Sequence, residues 1–364
     1  MSTNVDVYSP YYFPTMANYD DSISSSVDYD YSSGLCDRSE VRQFSQYFQP
    51  AFYWCVCLLG AIGNILVVVL YAFYKRIKTM TDVYLLNLSI ADLLFLCTLP
   101  FWALNASIGW RFGSSLCKIV SGVYKINLFS CMFLLTCISF DRYIAIVLAT
   151  KAHYSKNKRL LQSKLVCLFV WIIATILSFP EFAFSSTNES QMTCSSNYPS
   201  KNMKVVAFAL QVTFGFLLPL VIMMICYSLI TWTLLQTKRF QKHKAIKVIV
   251  AVVSTFVLTQ LPYNSFLIVK LLDADNITIT DCNTLKNVDI ATQITQSIAF
   301  LHCCLNPFLY AFIGVKFRQH LLKFLKDIGC FNQRQFLKLF KPQPGTSKRS
   351  SVVSESETFG TFVL

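Results

Sequence analysis

Apolar residues in this chain do not alternate with polar ones; they gather into long runs bounded by charge. Ala51–Tyr74 contains no charged residue, and Val83–Trp110 contains one, Asp92. Cys117–Val147 has Lys118 and Lys125 near one end and Asp141 and Arg142 near the other. Leu165–Pro180 is uncharged and closed by Glu181, and Val205–Gln236, Val248–Val269 and Ile290–Val315 are uncharged throughout. A helix needs about 20 apolar residues to cross the hydrocarbon of a bilayer. The pattern therefore predicts an all-α membrane protein, a seven-transmembrane helix bundle over residues 50–314, with the third span the weakest by hydropathy. Lys316–Ile328 has Phe317, Leu321, Phe324, Leu325 and Ile328 on one face and Lys316, Arg318, Lys323 and Lys326 between them. That pattern predicts a short amphipathic eighth helix, 315–329, lying along the surface of membrane lipids. Polar tails at 1–49 and 330–364 complete the domain plan and are too poor in apolar residues to fold alone.

Composition agrees with burial in lipid. Hydrophobic residues make up 54% of the 364 and charged residues 14%, against roughly 25% charged in a soluble domain. The net charge of +13 is strongly polarised. Residues 1–49 hold seven acids and two bases, whereas 315–364 hold nine Lys/Arg and three acids. With the N-terminus outside, 23 of the 32 bases fall on cytoplasmic segments and 13 of the 19 acids fall outside. The positive-inside bias then predicts a multi-pass plasma-membrane protein, N-terminus extracellular and C-terminus cytoplasmic. Such polarity points to two compartments rather than to nucleic acid. No cleavable signal core is visible before residue 50, so the first span is expected to act as both address and anchor.

Within the spans, the charged and kinking residues narrow the function. Asp92 is the one formal charge near mid-membrane, where ionised groups are costly and usually functional. It is read either as a polar clamp between helices or as a cation site to which Asn64, Asn127 and Asn306 could offer oxygens. Pro100, Pro180, Pro219, Pro262 and Pro307 interrupt five spans, which suits a bundle with two packings of similar energy. Asp141-Arg142-Tyr143, at the inner end of the third span, is read as an interfacial charge pair or as a switch whose Arg142 changes partners. Asn306-Pro307-Phe308-Leu309-Tyr310 has the depth to join it. Of the 14 cysteines, Cys36, Cys117, Cys194 and Cys282 lie in or beside outer segments, enough for two bridges with three pairings. No Cys/His metal pattern and no nucleophile–base set appears, so neither a structural metal nor an enzyme is expected.

Asn64, Leu88–Asp92, Asp141-Arg142-Tyr143, Trp171, Pro219, Pro262 and the Asn-Pro-x-x-Tyr segment, one per span and in order, resemble the rhodopsin-like G-protein-coupled receptors over about residues 50–328. Thr98-Leu99-Pro100, the DRYIAIV of 141–147 and the HCCLNP of 302–307 are similar to chemokine receptors. Val41–Phe44, Lys78–Leu96, His243–Ala245 and Gln260–Asn264 narrow that resemblance to one receptor type for C-C chemokines. Gln260 and Gln296 stand where many relatives carry Trp and Glu. The type resembled has both glutamines, so neither a Trp toggle at 260 nor an anionic anchor at 296 is expected.

The resemblance implies bridges Cys117–Cys194 and Cys36–Cys282. It implies a switch set of Asp141, Arg142, Tyr143, Tyr227, Asn306, Pro307 and Tyr310. No cofactor is implied beyond an allosteric sodium ion, for which Asp92, Asn127 and Asn306 are the candidates. The implied partners are a basic chemokine (for the type resembled, the thymus-expressed C-C chemokine), an inhibitory-class heterotrimeric G protein, arrestin and receptor kinases. Tyr19, Tyr29 and Tyr31 sit beside acids in a sulfation context and would attract the basic ligand. Trp102, Tyr124, Tyr263 and Gln296 are the pocket candidates by position, and Trp110 is expected to brace the first outer loop. Asn188 and Asn276 are credible glycan sites. Asn105 is too close to the membrane and Asn87 lies within a span. Cys330 is a palmitoylation candidate. Ser347, Ser350, Ser351, Ser354, Ser356, Thr358 and Thr361 are phosphorylation candidates for arrestin docking. An atypical scavenging receptor is the nearest rival and is expected to show an altered Asp-Arg-Tyr. A channel or transporter would need a continuous polar path. A retinal receptor would need a Lys in the seventh span.

Overall fold

The computed structural model describes residues 36–74, 77, 79–148, 156–188, 192–236, 242–272, 281–313, 315–327 and 329. The chain divides into two compact units, Met1–Asp37 and Arg38–Leu364. Of the first, Cys36 and Asp37 are described and neither lies in a helix or strand. In the second, the described residues form α1 (Ser39–Val69, continued by a π-helical turn Leu70–Tyr74), α2 (Met80–Leu96), α3 (Leu99–Ile108), α4 (Gly113–Ile146) and α5 (Lys156–Phe184). A hairpin follows, β1 (Ser185–Asn188) and β2 (Thr193–Ser196). Then come α6 (Lys201–Val212), a π-helical turn (Thr213–Leu217), α7 (Leu218–Gln236), α8 (Lys242–Leu272), α9 (Cys282–Ile313) and α10 (Val315–Asp327). Taken as α1, α2 with α3, α4, α5, α6 with α7, α8 and α9, these are seven crossings plus a short eighth helix.

Two expectations change. The first helix begins at Ser39, so residues 39–49, assigned to the tail by the hydropathy pattern, are helical and carry Pro50 into the body of α1. The third span is not the weakest. Among the described residues, six helices are long and apolar enough to cross a membrane, and Ile249–Leu272, at mean hydropathy 1.4 against 1.6 for Gly113–Ile146, is the least apolar of them. α9 buries a polar stripe, Thr292, Thr295, Ser297, His302 and Asn306, within the bundle.

The outside of the bundle is apolar, and polar groups are buried among the apolar core between the helices. Leu58, Ile62, Leu165, Phe169, Ile176 and Leu258 face outward, while Asn64, Ser89, Asp92, Ser130, Ser297 and Asn306 are buried. With no aqueous driving force between helices, close packing at small residues does the joining. A side-chain carbon on Gly63 would sit 3.1 Å from Pro307, and one on Gly122 would sit 2.2 Å from the Phe182 ring. These glycines let α1 meet α9 and α4 meet α5. α4 is the central helix, packed on α2, α5 and α7.

Local chemistry sets the breaks. Thr79 caps α2 reciprocally: its side chain accepts from the Asp82 N–H while the Asp82 carboxylate accepts from the Thr79 N–H. The second span divides at Cys97–Thr98, where the Thr98 hydroxyl donates to the Phe95 carbonyl at 2.6 Å. Pro100, which has no N–H, then stands in the first turn of α3. A π-helical turn ends two residues before Pro219. Pro180, Pro262 and Pro307 lie within continuous α5, α8 and α9, so only two of the five expected interruptions are visible breaks.

Candidate functional site

At the outer end, Cys117 in the second turn of α4 is bonded to Cys194 on β2, with Cα atoms 5.7 Å apart. Cys36 and Cys282 are each disulfide-bonded as well. Trp110 is buried and braces the corner between α3 and α4: its Nε1–H donates to the Gly113 carbonyl at 2.9 Å and its backbone N–H to Met192 at 2.6 Å. Gly109 and Gly113, at φ +80° and +78°, make that corner in a region side chains resist. Asp281 holds the start of α9, accepting from the Thr284 N–H at 2.8 Å and hydroxyl at 2.7 Å. Those donors keep its carboxyl below the usual range. The outer turns of α1 clasp α9 through Arg38–Asp289 (3.3 Å), Lys286–Glu40 (3.2 Å) and Ser45–Gln293 (2.7 Å).

A buried polar cluster that the sequence pattern did not single out lies just beneath the hairpin. Glu181, near the end of α5, accepts from Ser185, Ser196 and Tyr198, and pairs with Lys125 of α4 at 3.3 Å. Lys125 also donates to the Gln211 side-chain oxygen on α6. A formally charged Lys inside an otherwise apolar α4 stretch was the available signal; its partner Glu181 marked the end of a span instead.

Below this, three of the four pocket candidates converge. The Tyr124 hydroxyl lies beside Tyr263 and Gln296. Trp102 is placed differently, packed against Trp110 with ring centroids 6.1 Å apart. A cavity of about 40 Å³ runs from Tyr124 and Tyr263 past Gln260, Phe300 and His302 to Asp92. Gln260 donates to the Ala299 carbonyl at 3.4 Å, so the position where relatives carry Trp is here a polar tie between α8 and α9.

Asp92 is buried and fully engaged. Its Oδ2 accepts from Asn306 at 3.0 Å, and its Oδ1 from Asn127 at 3.4 Å and Cys131 at 3.3 Å. Both asparagines present amide nitrogens to the carboxylate rather than the oxygens anticipated. Asn64 is not part of this set. It donates to the Gly60 and Cys303 carbonyls at 3.0 Å each, joining α1 to α9.

At the inner end, Asp141 and Arg142 are 3.9 Å apart and share Thr81 of α2. The Thr81 hydroxyl donates to Asp141 at 2.6 Å and meets the Arg142 guanidinium. Tyr227 of α7 accepts from Ser139 at 3.1 Å, one turn earlier on α4. The Tyr143 ring lies tilted beside Phe140, and Pro307 is buried against Gly63. The sequence pattern missed Thr81 and Ser139; the available signal was Thr79 with Asp82 three residues on, a capping pair that sets Thr81 in the first turn of α2.

Asn188 is partly exposed at the end of β1, whereas Asn87 accepts from the Trp171 ring N–H at 3.0 Å inside the bundle. Tyr19, Tyr29, Tyr31, Asn276, Cys330 and the tail sites Ser347, Ser350, Ser351, Ser354, Ser356, Thr358 and Thr361 lie outside the described residues, as does the side chain of Tyr310.

Comparison with known proteins bears on this arrangement. The sequence model of the family described as 7 transmembrane receptor (rhodopsin family) matches residues 63–310. The chain is 45% identical to C-C chemokine receptor type 9 of Homo sapiens over the whole of both chains. It is 47% identical to the type 9 receptor of Mus musculus, over 94% of this chain and 95% of that one. It is 46% identical to C-C chemokine receptor type 7 of Homo sapiens, over 93% and 90%.

Proposed function

We propose a function for a chain that belongs to the rhodopsin family of seven-transmembrane receptors and, within it, to the chemokine receptors. It binds a C-C chemokine at its outer face and activates an inhibitory-class heterotrimeric G protein inside, driving calcium mobilisation and leukocyte chemotaxis. It is a receptor and not an enzyme. One observation carries the reading. α4 is tied outside through Cys117–Cys194, at mid-depth through Asn127–Asp92 and inside through Asp141–Thr81. A ligand that shifts the outer tie biases the inner one along a single helix, which is what coupling between two faces requires.

The finer assignments rest on the sequence. The acidic outer tail, with Tyr19, Tyr29 and Tyr31 as sulfation sites, draws in the basic chemokine. Tyr124, Tyr263 and Gln296 receive the ligand segment that enters the mouth. Identities to type 9 and type 7 receptors are nearly equal, so Gln260, Gln296 and the local stretches noted above favour the thymus-expressed C-C chemokine as ligand. The pairing Cys36–Cys282 rests on the resemblance to chemokine receptors. Asp92, with the Asn127 and Asn306 amides turned to present oxygens, fits an allosteric sodium ion. The plasma membrane, an outward N-terminus, glycans at Asn188 and Asn276, a palmitate on Cys330 and a phosphorylated tail read by arrestin after receptor kinases complete the proposal.

The test is a calcium and cyclic-AMP screen of cells expressing the receptor against a chemokine panel. A response to a C-C chemokine, blocked by inactivating the inhibitory G protein, is expected. Silence to every chemokine at good surface expression overturns the proposal, and uptake of chemokine without G-protein activation assigns the scavenging role instead.

A further inference from the structure

The Lys125–Glu181–Gln211 cluster is asymmetric in a way that assigns it a ligand. Glu181 remains satisfied without Lys125: Ser185 and Ser196 serve one carboxylate oxygen and Tyr198 serves the other. Lys125 is not saturated by what it meets. Its ammonium has three donors, and the contacts made are Glu181 and the Gln211 oxygen. It sits 5.7 Å over the Tyr124 ring with 13% of its side chain exposed. The Gln211 amide nitrogen, on a residue 2% exposed, is buried with no hydrogen-bond partner. Its sister oxygen is the atom bonded to Lys125, so that unused N–H pair lies directly beside the ammonium. Unused donors gathered around a cation call for an acceptor of negative charge, because a buried donor without a partner is costly and a charged acceptor recovers that cost.

We propose that Lys125 and Gln211 form a carboxylate-binding subsite that receives an aspartate or glutamate side chain of the ligand segment entering the mouth. This rests on the receptor reading above and adds a chemical requirement to it. In the ligand-free protein Glu181 stands in for that carboxylate, held back on the hairpin by its three hydroxyls. The subsite selects for ligands with an acid at the matching position, and occupying it loosens the tie between α4 and the hairpin.

The test uses purified full-length receptor in nanodiscs and a pair of capped tripeptides, one with central glutamate and one with central glutamine, titrated by saturation-transfer NMR. Wild type is expected to bind the glutamate peptide at least about tenfold more tightly than the glutamine peptide, the loss expected for one charge-assisted bond. Lys125→Met abolishes the preference, Lys125→Arg retains it, and Gln211→Leu weakens it. Glu181→Gln, by removing the internal competitor, raises affinity for the glutamate peptide. A purely structural ion pair predicts the opposite for Glu181→Gln. Equal binding of the two peptides, or a preference that survives Lys125→Met, overturns the subsite. A chemokine panel that gives no signalling would overturn the receptor reading while leaving the peptide result intact.

Discussion

Thr81→Val is the sharpest probe of the proposed inner switch. The substitution keeps shape and volume and removes one hydroxyl. That hydroxyl donates to Asp141 at 2.6 Å and meets Arg142, and Thr81 and Asp141 are 5% and 9% exposed. A buried hydrogen bond to a charged group is worth about 1.5–3 kcal/mol. Lost only from the state in which Arg142 is held, it shifts the ratio of open to held receptor by roughly 10- to 150-fold. An open state populated near 1% in wild type would rise to about 10–60%. The assay is ligand-free nucleotide exchange on the G protein in membranes, normalised to surface receptor. Thr81→Val should raise this basal activity roughly 10-fold or more, and Thr81→Ser should keep it at the wild-type level. Basal exchange identical to wild type at matched expression, with unchanged agonist potency, would refute Thr81 as the element that holds Arg142.

Cys117→Ala together with Cys194→Ala should lower the thermal stability of the purified receptor and abolish chemokine binding, since the bridge closes a 77-residue separation and such loops contribute on the order of 4 kcal/mol. Asp92→Asn should cost about 1–3 kcal/mol, because the Asn127, Asn306 and Cys131 donors lose their carboxylate. The same variant should remove the depression of agonist affinity by sodium chloride, measured against choline chloride in radioligand competition. Gly122→Val should reduce surface expression sharply, since its side chain collides with Phe182; overpacking of this kind costs typically 1–3 kcal/mol, and flow cytometry reads it. Gln260→Leu should spare folding and shift agonist efficacy in the cyclic-AMP assay, as only the tie to Ala299 is lost.

The long uncharged runs determined the crossings by themselves. Lipid admits few other solutions for backbone polar groups, so Ala51–Tyr74 or Val205–Gln236 could hardly be anything but spans. Asp92 and Asp141-Arg142-Tyr143 were legible for the related reason that charge in a membrane is expensive and therefore purposeful. Other features were decided only by three-dimensional packing. α1 extends back to Ser39 because its outer turns find Asp289, Lys286 and Gln293 on α9, residues about 250 positions away. The polar residues of α9, Thr292 to Asn306, are buried against neighbouring helices rather than set toward lipid. Thr81 met Asp141 and Arg142, and Lys125, Glu181 and Gln211 became one cluster, only when α2, α4, α5 and α6 were set side by side. Hydropathy reports how each residue relates to its solvent, and in a membrane bundle that determines the crossings. Which polar groups share a hydrogen bond depends on helix rotation and depth, and those are fixed by contacts such as Gly63 on Pro307 and Gly122 on Phe182, which no linear pattern encodes.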